Sequence, residues 1–312
     1  MDIIYERLIS KIKTLSNIVW DGRATKEEVD RWLSNFDAGD EQRQALYLLS
    51  QFMYFSNHEM RELLKSLYRD FIKYPIVENI RRENSDTIDK EFIAKELDKK
   101  LTDTKILAVG NPSESGSHLL YYFRQENNLP RNLFINTHEI FHLSKGKFGH
   151  LQNKDILHYI FMDDFCGGGT QAKLYLNEVV DRIKSENNEV QVDYLVLFGT
   201  TDGMDFLKSE TNLDRCAAVF DLDESFKSFG ENSRHEPSVD MALDWAATRK
   251  MAIKYGEKIF SEHPLGYSDC QLLIGFFHNT PNNTLPIIWF DERDGPAWEP
   301  IFKRYSKIYG SV

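Results

Sequence analysis

Residues 158–180 read HYIFMDDFCGGGTQAKLYLNEVV. An apolar run ends on two adjacent carboxylates, Asp163 and Asp164. It then passes through Gly167, Gly168 and Gly169 to Thr170, where a helical pattern begins. Adjacent carboxylates repel one another unless a cation or hydroxyl groups sit between them. Three glycines let the backbone turn tightly and present its N–H groups, and a helix opening at Thr170 favours an anion at its first turn. A sugar phosphate meets both halves of this pattern. The carboxylates take the ribose diol, directly or through Mg2+, and the Gly/Thr turn cradles the 5′-phosphate. An ordinary strand-to-helix turn with a capping aspartate accounts for one Asp and one Gly, but not for the doublet and the glycine triplet. No Gly-Lys-Ser/Thr follows, so this is no Walker A loop, and it is no GxGxxG dinucleotide turn.

The stretch resembles the PRPP-binding motif of type I phosphoribosyltransferases: apolar strand, two acidic residues, then a short Thr/Gly-rich phosphate loop that opens a helix. The resemblance implies a pyrophosphate loop upstream. AVGNPSESGSHLLYYF (108–123) stands there, where Asn111, Ser113, Glu114, Ser115, Gly116 and Ser117 around Pro112 offer backbone and hydroxyl donors at a helix start. It also implies a basic loop between the two motifs that closes over the substrate. HLSKGKFGH (142–150) supplies Lys145 and Lys147, with Gly146 and Gly149 as hinges. The implied assignment is Asp163, Asp164, Lys145 and Lys147 as catalytic groups and Asp163 and Asp164 as the metal site. Gly167 to Thr170 together with Asn111, Ser113, Glu114, Ser115 and Gly116 bind substrate. A more specific resemblance is to the PRTase-CE family of prokaryotic conflict and anti-phage systems, retron operons among them. NPSESG, DDFCGGGTQ, FFHNTPNNTLPIIWF (276–290) and PAWEPIFKR carry it, over about residues 105–306. The loop departs from the common motif in having glycine where Ser or Thr precedes the paired glycines. PRPP, a nucleotide or another ribose 5-phosphate ester would satisfy the groups that remain.

These residues need a frame. Residues 1 to about 100 have helical periodicity, with Ile4, Leu8, Ile12 and Leu15 on one face. Capping boxes stand at Thr25–Glu28 and Ser56–Glu59, and Pro75 is expected to end the second helix. The expectation is a helical packing module, with helix-turn-helix as the alternative. From residue 101 to 312 short β-rich runs alternate with helices: 105–110, 131–136, 156–162, 192–199, 216–220, 270–277 and 285–290. Continuous apolar strands alternating with helices predict an α/β fold: a mostly parallel sheet with helices on both faces, preceded by an all-α N-terminal region. Ligands of such sheets bind beyond the carboxyl ends of the strands, where the doublet lies.

The bulk properties fit this picture. The chain has 312 residues, 41% of them hydrophobic, and a net charge of −11, which argues against a free-standing nucleic-acid binder. Three scattered cysteines, Cys166, Cys216 and Cys270, with no CxxC, point to reduced thiols and a cytoplasmic location. The charged N-terminal stretch is no signal peptide, and no apolar run reaches a membrane span. His138, His142, His150 and His158 lack ligand spacing and read as loop and surface residues. Cys166 and Trp245 read as packing residues. Phe220 with residues 220–225 reads as core, with a lid or base site as the alternative. Two function classes follow. One is an effector enzyme acting at the ribose anomeric carbon, with Mg2+ as cofactor and a phosphoribosyl compound or nucleotide as substrate. The other is an inactive nucleotide-sensing or scaffold subunit. Family analogy adds a reverse transcriptase or nucleic-acid complex through the helical region, and a homo-oligomer.

Overall fold

The computed structural model describes residues 3–110, 115–144, 147–291 and 297–305. In chain order the elements are α1 (Ile3–Ile18), α2 (Lys26–Leu33), α3 (Asp40–Ser50), β1 (Met53–Phe55), α4 (Asn57–Tyr68), α5 (Tyr74–Glu83) and α6 (Lys90–Thr102). They continue with β2 (Thr104–Ala108), α7 (Ser115–Glu126), β3 (Phe141–Ser144), β4 (Lys147–Leu151), β5 (His158–Cys166), α8 (Thr170–Glu186) and β6 (Gln191–Thr200). The last are α9 (Thr201–Glu210), β7 (Arg215–Leu222), α10 (Trp245–Ile259), β8 (Ile274–Phe276) and α11 (Pro286–Trp289).

The chain forms two compact units, one of residues 1–59 with 223–312, the other of residues 60–222. The boundary expected near residue 100 falls inside the second unit. The reason is that α5 packs on α6, and α6 packs on β2, the first strand of the sheet.

The second unit holds the α/β sheet. Its strand order is β2-β5-β6-β7, and every pairing is parallel. β5 and β6 are buried on both faces, which is why their sequences run apolar without alternation. Tyr159, Phe161, Tyr194 and Val196 join one core cluster with Leu176, Val180 and Ile183 of α8 and Met204 and Leu207 of α9. Ile160, Met162, Leu195 and Leu197 are as deeply buried but lie outside that cluster, as residues of the opposite face. α7 packs against β2 and β5. It also meets α4, through the Arg61–Glu126 ion pair at 2.7 Å and the Tyr68–Phe123 ring contact.

The expected strand at 131–136 is instead a short 3-10 turn, Arg131–Leu133, followed by one parallel bridge from Phe134 to Ile106. Pro130, just before the turn, and the polar Arg131 and Asn132 leave only Phe134 and Ile135 to reach the edge of β2. Phe134 lies on one side of β2 and β5 on the other, so the winding of the sheet reverses at β2. The expected loop at 142–150 is the β3–β4 antiparallel hairpin.

Pro75 does not end a helix. A π-helical turn, Arg69–Lys73, follows α4 and leads without a break into α5, so Pro75 falls in the first turn of α5, just after the widened turn that accommodates it. Both capping boxes form. Thr25 Oγ1 accepts the Glu28 N–H while Glu28 accepts the Thr25 N–H, and Ser56 and Glu59 make the same exchange.

The first unit is built from both ends of its sequence. Met53, Tyr54 and Phe55 of β1 pair in parallel with Ile274, Gly275 and Phe276 of β8, a strand inside a region expected to be all helix. The strand expected at 270–277 shrinks to β8. The strand expected at 285–290 is the four-residue helix α11, which Pro286 opens. Pro286 to Trp289 are all buried, and an all-apolar run carries no period by which a strand could be told from a helix. Trp32 donates its indole N–H to Ile287 O at 2.7 Å, and Trp20 packs edge-on against Phe302. HNTPNNTLP (278–286) closes this core. Thr280 Oγ1 donates to Phe302 O, Thr284 Oγ1 to Ile274 O, and Asn283 Nδ2 to Tyr267 O. Trp245 packs at the edge of the same core, against Tyr47 and Phe229.

Candidate functional site

β5 runs past Met162 to Cys166, so Asp163 and Asp164 lie within the carboxyl-terminal part of the strand rather than after it. Asp163 pairs with Val196 of β6. The Asp164 N–H donates to Asp163 Oδ1 at 2.9 Å, and Asp164 itself is only 8% exposed. The doublet is thus a half-buried and a buried carboxylate at the carboxyl edge of an inner strand, beside the reversal of winding at β2.

Beneath it lie Cys166 and Tyr194, both in the apolar core. Burial, and after it the Asp163 carboxylate, push the Cys166 thiol up to about 12. A thiol so protonated is no nucleophile at neutral pH. Burial also drives the Tyr194 phenol well above its ordinary value.

The strand leaves through Gly167 and Gly168 into Gly169, which has φ +74°. A Cβ at Gly169 would meet Gly203 O at 2.7 Å and Phe206 Cδ1 at 2.9 Å, so only glycine fits there. Gly169 is the N-cap of α8, a 17-residue helix, and no side chain caps it. The first turn of α8 holds no acidic residue, and its last turn carries Lys184. The helix therefore presents backbone N–H groups and the positive end of its dipole two turns of chain beyond the doublet. Thr170 is exposed beside them.

The hairpin is fastened to the same helix. Arg182 donates through Nε and Nη2 to Gly149 O, and Glu186 bonds both His150 and Arg182. A Cβ on Gly149 would sit 2.5 Å from His142 O, so the strands close tightly at that point. Lys145 and Gly146 lie outside the described residues, and Lys147 is described only as backbone of β4. Of the upstream loop, Asn111, Pro112, Ser113 and Glu114 also lie outside them, and Ser115, Gly116 and Ser117 are described only as the backbone opening α7. That backbone follows β2, the neighbour of β5, so both loops leave the same edge of the sheet.

Of the histidines, His150 bonds Glu186 and His158 bonds Asp193. The His158 ring is largely buried, not a surface group. Phe220 is half-buried with its ring 5.6 Å from Phe198. The described residues contain no group of three or more His, Cys, Asp and Glu able to hold a metal. Two carboxylates suit Mg2+ all the same, because that ion commonly takes one or two from the protein and the rest from phosphates and water. No described helix is long and apolar enough to cross a membrane.

Sequence reading missed Thr200 and Gly203, which touch the glycine turn from the β6–α9 junction. Their signal is weak: a capping threonine followed by glycine in TTDG marks only a helix start.

The PRTase-CE family profile matches residues 29–304. Among solved structures, the chain is similar to orotate phosphoribosyltransferase from Aeropyrum pernix, at 14% identity and a TM-score of 0.24, covering 40% of this chain and 62% of that one. It is also similar to Helicobacter pylori xanthine-guanine-hypoxanthine phosphoribosyltransferase, at 10% identity and a TM-score of 0.27, covering 55% and 89%. No curated protein sequence matches it.

Proposed function

Because the chain belongs to the PRTase-CE family, we propose that the end of β5 and the start of α8 bind a ribose 5-phosphate ester, PRPP or a nucleotide, for chemistry at its anomeric carbon. One observation carries the reading. An uncapped 17-residue helix opens through a left-handed glycine five residues after a half-buried and a buried carboxylate. In this reading the N–H groups of the turn and of α8 receive the 5′-phosphate, and Asp163 and Asp164 accept from the ribose hydroxyls. The sugar is then held at both ends, with its anomeric carbon toward the carboxyl end of β2, the neighbouring strand. Breaking the bond at that carbon leaves positive charge on the ring, which the nearby carboxylates stabilise, while the leaving group departs with the electron pair and water or an acceptor nucleophile forms the new bond to the carbon. Asp163 and Asp164 would also hold Mg2+, which supplies charge neutralisation to a pyrophosphate. Family membership supports an anti-phage setting for the activity, in retron operons among others.

The glycine at 167, where related loops have a hydroxyl residue, favours a second reading in which the nucleotide is bound without turnover. Mass spectrometry of the full chain incubated with PRPP, NAD and nucleotides separates the two. Asp163→Asn with Asp164→Asn tests the site itself. Two charge-assisted hydrogen-bond sets are removed, so ligand affinity should fall by at least about 100-fold while the circular dichroism spectrum is unchanged. A folded double variant that binds as tightly as the wild type refutes the assignment.

A further inference from the structure

Thr200 is 7% exposed and its hydroxyl makes two bonds at once. It donates to Gly167 O at 2.6 Å and accepts the Gly203 N–H at 3.0 Å. The approach is closest at Gly203, where a Cβ would lie 1.7 Å from Gly167 O, a distance no side chain tolerates. In the reverse direction, Gly203 O is the backbone atom that a Cβ on Gly169 would strike. An ordinary N-cap needs only to accept from its own helix. Here the remaining proton of the capping hydroxyl is aimed at the carbonyl of another turn.

That bond has a geometric result. A trans peptide sets its C=O and N–H on opposite sides, so a Gly167 carbonyl turned into α9 points the Gly168 N–H away from it. The same bond keeps a partly negative oxygen out of the space in front of α8.

We propose that Thr200 and Gly203 are positioning residues of the ribose-5-phosphate site. They mould the Gly167–Gly169 turn against α9 so that the Gly168 N–H and those opening α8 converge on one phosphate. The inference rests on the reading of this turn as a phosphate site.

The test uses the full chain with Thr200→Val, Thr200→Ser and Gly203→Ala. PRPP and ribose 5-phosphate are titrated calorimetrically, and hydrogen exchange is followed at the amides of residues 167–172. Thr200→Val should weaken both ligands by about tenfold, the effect of one misplaced hydrogen-bond set. It should also speed exchange of the turn amides without a matching rise elsewhere, and Thr200→Ser should restore both. Gly203→Ala should lose more. If that variant does not fold, Thr200→Val carries the test alone. A Thr200→Val chain that binds both ligands like the wild type, with unchanged exchange, overturns the proposal while leaving the phosphate reading intact. A wild type that binds neither ligand, while Thr200→Val still loosens the turn, overturns the phosphate reading and this assignment with it.

Discussion

Asp193→Asn separates the strength of the sheet from the chemistry of its edge. Asp193 is 0% exposed, on β6 at the amino end of the sheet, opposite the edge that carries the doublet. Arg215 donates to its Oδ2 from Nη2 at 2.6 Å and Nε at 3.1 Å, and His158 Nε2 lies 3.0 Å from the same oxygen. Gln191 Nε2 donates to Oδ1 at 2.9 Å, and Arg215 also donates to Phe71 O. Strands β5, β6 and β7 and the π-helical turn are thus tied through one carboxylate. Burial alone would raise its pKa, but the hydrogen bond and charge of His158, followed by the charge of Arg215, outweigh it and hold the group below its ordinary 3.8.

Removing one member of a buried ion pair costs about 3–5 kcal/mol. The Arg215 side chain is 30% exposed and regains some hydration, so about 2–4 kcal/mol is expected here. A unit of this size loses about 2–4 °C of Tm per kcal/mol, so the transition should fall by about 4–16 °C at pH 7. The sign with pH is fixed by the lowered carboxyl. Its contribution is present above 3.8 and is lost as pH falls through the still lower folded value, so the variant should show a flatter acid limb than the wild type. Scanning calorimetry from pH 3 to 8 measures both, and ligand affinity at 10 °C should be unchanged. A Tm within about 2 °C of the wild type at pH 7 would refute the reasoning, since the network would then contribute nothing net.

Burial, and after it Arg234, push His235 down to about 4, while its Nε2 has no partner and its ring bonds the Phe226 carbonyl. The unfolded chain takes up a proton below 6.5 and the folded one does not, so the first unit should lose about 3 kcal/mol between pH 6.5 and about 4. His235→Gln should flatten that limb in a Tm-against-pH series, and an unaltered limb would contradict the assignment. All three cysteines are buried, with Cys166 pushed up to about 12 and Cys216 to about 11 by burial first. Native protein should leave its thiols unmodified by a disulfide reagent at pH 8 and release all three in denaturant. Fast labelling of native Cys166 would show the turn to be open. Raised thiol values stabilise fully below 9 and fade as pH rises toward them, so stability should decline above about pH 9.

The acidic doublet and the glycine turn stand out in the sequence, and they fall at the carboxyl end of β5 and the start of α8, where the apolar run and the helical pattern on either side put them. The parallel sheet was legible from continuous apolar strands such as Ile160–Met162 and Tyr194–Phe198, which only a doubly covered sheet accommodates. Other features were set by contacts that no local pattern records. Gly203 looks like any glycine near a helix start until Gly167 O is seen 1.7 Å from where its Cβ would be. Residues 285–290 carry apolar character without a period, so Pro286 and complete burial decided for a helix. Pro75 reads as a stop only if α4 is regular, and the π-helical turn before it shifts the register. The division of the chain escaped notice because Trp32 and Ile287 meet across more than two hundred residues.

That last pairing bears on how the protein is made. Residues 1–59 leave the ribosome well before residues 223–305 exist, and Trp20, Trp32 and Phe36 have no complete core to enter until Ile287, Ile288 and Phe302 arrive. The sheet-bearing unit, residues 60–222, is contiguous and can condense during translation. The nascent chain therefore holds a finished α/β body flanked by an unsheltered apolar segment at its leading end. Chaperone occupancy should concentrate on that segment.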